Sequence, residues 1–100
     1  MKNGNVNEFV SNLDFEHQAV IFDGHKLFFE GVIFDEEEAS EKKYVFDIYQ
    51  YSMNEVFEKE FYSIKCKSSE ECIKTFLEVP IFNGKKFWDI ETELTWIDDF

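Results

Sequence analysis

The sequence predicts an α+β fold: a four-stranded antiparallel meander sheet with an N-terminal helix and one or two C-terminal helices. Three observations lead there. An apolar stripe at helical spacing opens the chain, aromatic-rich runs separated by turn residues follow, and a second capped helical stripe comes after them. The 100 residues suffice for one domain with one core, residues 1–100. Hydrophobic residues make up 44% of the chain, with 13 Phe, 4 Tyr and 2 Trp, so burial can offset the entropy of ordering it.

Asn5-Val6-Asn7-Glu8 has the form of a capping box, with Asn5 as cap and Glu8 reaching back to it. Val6, Phe9, Val10 and Leu13 then give the stripe of an amphipathic helix. Asp23-Gly24, between Ala19-Val20-Ile21-Phe22 and the run from Lys26 to Phe34, predicts a hairpin, because type I′ turns need positive φ at both central residues. The second run is apolar on both faces, which predicts a central strand with a bulge or a close approach at Gly31.

Tyr44 to Tyr51 forms the third strand, with Tyr44, Phe46 and Ile48 on one face and Val45, Asp47 and Tyr49 on the other. A polar turn leads to a fourth strand from Phe57 to Cys66, whose core face carries Tyr62. Ser68 and Glu71 form a second capping box ahead of Cys72, Ile73, Phe76 and Leu77, and Pro80 ends that helix. Asn83-Gly84 makes a further turn. Residues 87–97 fit either a helix stripe or a strand alternation, and their helix formers favour a short helix.

Twenty-two acidic residues face ten lysines and no arginine, a net charge of −12. Nucleic-acid backbones and anionic membranes repel such a chain, whereas basic protein surfaces attract it. The expected partner is therefore a basic protein, with no direct nucleic-acid binding and no membrane. No apolar run approaches a membrane span and the first residues lack the hydrophobic region of a secretion signal, so a cytoplasmic protein is expected. Oligomeric state is not encoded in any of these patterns.

No Gly-rich phosphate loop, G-x-S-x-G or H-E-x-x-H occurs, so neither cofactor nor metal is expected. His17 and His25 flank strands, and the C-x5-C spacing of Cys66 and Cys72 matches no usual zinc or redox motif. Cys72 near a capped helix N-terminus is the best nucleophile available. Paired with His25 and carboxylates, it supports an alternative reading as a small enzyme or ligand-binding domain. Its competing role is the first buried residue of the helix stripe.

The most visible surface feature is the acidic run containing Asp35, Glu36, Glu37, Glu38 and Glu41. It reads either as a solvated loop that discourages edge-to-edge pairing or as a negative patch for a Lys/Arg-rich surface. Trp88 and Trp96 nearly share a face in a helix or a strand, and each is a core residue or an interface anchor. These seven residues are the candidate partner-binding set.

The stretch Glu71-Cys72-Ile73-Lys74-Thr75-Phe76-Leu77-Glu78-Val79-Pro80-Ile81-Phe82-Asn83-Gly84-Lys85-Lys86-Phe87-Trp88 resembles a loose group of small, acidic, uncharacterised bacterial proteins. Those end in E-C-x-x-x-F-L-x-x-P-I-F-x-G-K-x-F-W. With Glu91, Glu93 and Trp96-Ile97-Asp98 that follow, the resemblance covers about thirty residues and implies that the tail belongs to the folded domain; it implies no activity or site.

The functional expectation is a non-enzymatic acidic interaction module. An inhibitor or immunity-type protein that occupies a nucleic-acid-binding or nuclease surface of its partner has this profile. A structural subunit of a homo-oligomer is a third reading, which an exposed apolar face in the Trp88–Trp96 segment would favour.

Overall fold

Asp23 and Gly24, at φ 49° and 76°, close the first hairpin with both residues in the left-handed region, as the Asp-Gly pair predicts. They join β1 (Gln18–Phe22) to β2 (His25–Ile33), with Phe22 opposite His25. The computed structural model describes residues 1–14, 17–33 and 44–97. Strand β3 (Tyr44–Tyr51) pairs with β2, and β4 (Phe57–Cys66) pairs with β3, completing the expected antiparallel meander.

A fifth short strand extends the predicted four. Residues 87–97 divide between the two expected states: helix α3 (Phe87–Ile90), a 3-10 turn (Glu91–Glu93) and β5 (Thr95–Ile97). β5 pairs antiparallel with β1, giving the order β4-β3-β2-β1-β5. The Lys2 amide donates to Leu94 O at 2.8 Å and the Trp96 amide donates to Lys2 O at 2.9 Å. The N-terminal segment thus occupies the outer edge of β5.

Helix α1 (Val6–Asn12) starts where Asn5 accepts hydrogen bonds from the amides of Asn7 and Glu8. Helix α2 (Ser69–Glu78) is capped by Ser68, which accepts from the Glu71 amide. The Glu71 carboxylate accepts from the Lys67 amide, one residue ahead of the position a capping box predicts.

Among the described residues, helices α1, α2 and α3 (Phe87–Ile90) all contribute rings to one face of the sheet. Val20, Leu27, Phe29, Phe46 and Ile48 project there from β1, β2 and β3, and all are buried. Phe76 of α2 lies at their centre, with ring centroids 5.6 Å from Phe29, 5.4 Å from Phe46, 6.1 Å from Phe82 and 5.6 Å from Phe87. Phe9 of α1 stacks on Phe87 at 6.0 Å and meets Phe29 edge-on at 5.5 Å.

Two details depart from simple alternation. The β3–β4 register shifts between Ile48 and Tyr49 and again between Gln50 and Tyr51, leaving Phe61 and Glu58 as extra residues on β4. The first shift lets Phe61 as well as Tyr62 pack against the core, with Phe61 5.6 Å from Phe82. The close approach expected at Gly31 comes from Tyr44: any Cβ on Gly31 would collide with the Tyr44 hydroxyl.

Two stability outcomes follow. Phe76→Ala removes the ring shared by strands and helices and should cost about 3–5 kcal/mol in urea denaturation. Gly31→Ala should cost about 1–3 kcal/mol. Adding Tyr44→Phe should restore only part of that loss, because the ring carbon beneath the hydroxyl is still only 2.7 Å from the new methyl.

Candidate functional site

Alternation along the strands places a second set of side chains on the sheet face opposite the helices. Strand β2 presents Phe28 and Glu30, β3 presents Asp47, Tyr49 and Tyr51, and β4 presents Phe57, Glu60 and Ser63. The register sets Phe28 opposite Tyr49 and Glu30 opposite Asp47. Tyr51 lies edge-to-face with Phe28 at 4.9 Å and with Phe57 at 5.5 Å, while Tyr49 is 6.3 Å from Phe57. Four aromatic rings thus gather on the face away from α1, α2 and α3, interleaved with carboxylates.

The polar contacts order this face. The Tyr49 hydroxyl donates to Asp47 Oδ2 at 3.0 Å, and Ser63 Oγ donates to Asp47 Oδ1. Burial first, then the bond to Asp47 and the nearby charges of Asp47, Glu30 and Glu60, push the Tyr49 hydroxyl up from 10.0 to about 12. A proton is hard to remove there because the phenolate would join a group of carboxylates. The site's field is negative.

At the turn end of this face lies a solvent-facing groove of ≈ 400 Å³, lined among the described residues by His17, Phe28, Glu30, Tyr49, Tyr51 and Glu55, with Phe29 at its floor strand. Glu55 reaches it from the β3–β4 turn, which Ser52 organises by accepting from the Glu55 amide at 2.8 Å. Glu55 has φ 63°, a left-handed conformation that costs a non-glycine residue of order 1 kcal/mol. Its carboxylate pairs with Lys26 Nζ at 3.0 Å. Met53, Val56 and Phe57, beside this turn, are exposed.

The residues singled out from sequence are scattered. Asp35, Glu36, Glu37, Glu38 and Glu41 lie outside the described residues. Trp96 points to the core side: its indole N–H donates to Gln18 Oε1 at 2.9 Å, and its ring meets Phe9 at 5.5 Å. Trp88 is 46% exposed and packs edge-on against Phe87. The two tryptophans do not share a face, because the segment between them changes from helix to strand.

Cys72 and His25 are not brought together either. Cys72 is fully buried, and burial, followed by the neighbouring Cys66, pushes its thiol well above the ordinary range. Its Sγ contacts the carbonyls of Tyr44 and Ile64, at the far end of β3 and β4. His25 starts β2 beside the hairpin, its Nδ1 2.6 Å from Glu58 Oε1. Tyr44 pairs with Ile33, eight residues along β2 from His25, a separation of about 26 Å at the rise of a strand.

Among the described residues, no group of three or more His, Cys, Asp and Glu could hold a metal ion, and no helix is long and apolar enough to cross a membrane. Comparison with protein-family models, curated proteins and solved structures finds no match.

The aromatic face itself was not singled out from sequence. The available signal is Tyr49 and Tyr51 alternating on the polar face of β3, a place where surface strands ordinarily carry charged or small polar residues.

Tyr49 sets a pH dependence. An unfolded tyrosine releases its proton near 10.0, whereas folded Tyr49 keeps it to about 12, so the folded state binds more protons in that window. The contribution is complete below the lower value, and stability falls as pH rises between the two. Urea midpoints across this range should fall more steeply in the native protein than in Tyr49→Phe; equal slopes would show that the hydroxyl is not held. Cys72 should react with a thiol reagent only at the rate of global unfolding, and fast labelling of the folded protein would contradict its burial.

Proposed function

We propose that this chain is a non-enzymatic acidic interaction module of the inhibitor or immunity type, which covers a basic surface of a partner protein. The observation that carries this reading is the acidic, aromatic sheet face opposite the helices. Glu30, Asp47 and Glu60 lie there among Phe28, Tyr49, Tyr51 and Phe57, in a chain of net charge −12. Aromatic rings supply contact area at low conformational cost, and the carboxylates steer a cationic surface onto them. A nucleic-acid-binding or nuclease surface has the complementary charge. In this reading the protein works in the cytoplasm, and the acidic run from Asp35 to Glu41 adds to the field that draws the partner in.

The test is a tagged pull-down from lysate of the native host, eluted with a salt ladder. One basic partner released as salt rises is expected. Glu30→Gln combined with Glu60→Gln should slow association with that partner about tenfold at low salt and flatten its salt dependence. Glu36→Gln, Glu37→Gln, Glu38→Gln and Glu41→Gln together examine the acidic run, and an unchanged on-rate would remove it from the interface. Recovery of the protein alone at every salt concentration would overturn the module reading.

A further inference from the structure

We propose that the groove beside Tyr51 and Glu30 receives one arginine side chain of the partner protein. This rests on the reading of the chain as an acidic interaction module and adds the residue that anchors the partner to it.

Size, walls and charge agree on such an occupant. At ≈ 400 Å³ the groove lies toward the small end of the roughly 300–1,000 Å³ of ligand pockets, suited to a side chain rather than a nucleotide. Phe28 and Tyr51 stand at an interplanar angle of 78°, so one ring can offer a face while the other offers an edge. Ring faces attract cations. Glu30, half-buried and lining the groove together with these rings and Tyr49, makes no hydrogen bond or ion pair among the described residues. A carboxylate so placed has both oxygens available to an incoming donor.

One of the two carboxylates lining the groove already holds a cation. Glu55 holds the Lys26 ammonium at 3.0 Å, while among the described residues Glu30 pairs with no cation. Arginine suits the vacant carboxylate better than lysine does, since its planar guanidinium can stack on an aromatic ring while two N–H groups fork onto a carboxylate. Anionic ligands are disfavoured by Glu30, Glu55, Asp47 and Glu60. The same carboxylates disfavour free arginine, whose own α-carboxylate would enter the negative field, and so the source is a peptide-linked side chain.

The experiment is a titration of the full chain with N-acetyl-arginine amide, followed by NMR shifts of Phe28, Tyr49, Tyr51 and the Glu30 amide. Saturable shifts confined to those residues are expected. Glu30→Gln should weaken the probe about tenfold, as should Tyr51→Leu, with amide spectra confirming that both variants stay folded. N-acetyl-citrulline amide, the uncharged counterpart, should give no saturable shift. Equal binding of N-acetyl-citrulline amide, tighter binding of N-acetyl-lysine amide, tighter binding of free arginine, or shifts spread over every surface carboxylate would each overturn the proposal.

The outcomes also separate this inference from the module reading. Salt-sensitive binding to a basic partner that Glu30→Gln and Tyr51→Leu leave unchanged would sink the arginine site and keep the module. Saturable arginine binding without any partner would keep the site and sink the module.

Discussion

Helices α1, α2 and α3 are held to the same face of the sheet by one interleaved set of phenylalanine rings, with Phe76 at its centre. That ring touches residues of β2 and β3, the Phe82 turn and α3, so elements distant in sequence share a single buried contact. Edge-to-face and offset aromatic pairs add to plain area burial, and several of them here involve the same few side chains. The consequence is a tightly shared core, in which removing one ring disturbs strands and helices together.

Placing α1, α2 and α3 on one face assigns a different chemistry to the other. Strand alternation sends Phe28, Tyr49 and Tyr51 away from the core, while Asp47 binds the Tyr49 hydroxyl. Aromatic residues on such a face offer contact area, and carboxylates between them keep it hydrated and disfavour self-association. The sheet edges are handled separately. Lys2 occupies the outer edge of β5, and β4 carries two register shifts together with Lys59 and Lys65, features that oppose strand addition.

Much of the architecture was legible because it follows from local rules. Asp23-Gly24 and Asn83-Gly84 need left-handed backbone, and both pairs adopt it. Ser68 and Pro80 bound a helix because one supplies an acceptor for free amides and the other lacks an amide of its own. The alternation of Tyr44, Phe46 and Ile48 against Val45, Asp47 and Tyr49 requires only the two-residue period of a strand. Residues 87–97 were ambiguous for an equally physical reason: a stretch this short satisfies both periods, and pairing with β1 decides where helix gives way to strand.

By itself, the sequence determined the α+β class, the meander, the helix caps and the strongly negative charge, all properties of neighbouring residues or of composition. The tertiary structure alone decided which side chains meet. It turned Trp96 inward onto Gln18 while leaving Trp88 outward, and it separated Cys72 from His25 by the length of a strand. It also gathered Phe28, Glu30, Tyr49, Tyr51 and Glu55 around one groove. These residues come from two paired strands and a turn, and only the register of β2 against β3 brings them side by side. Register depends on the fit of the whole buried face, which no local stretch of sequence contains.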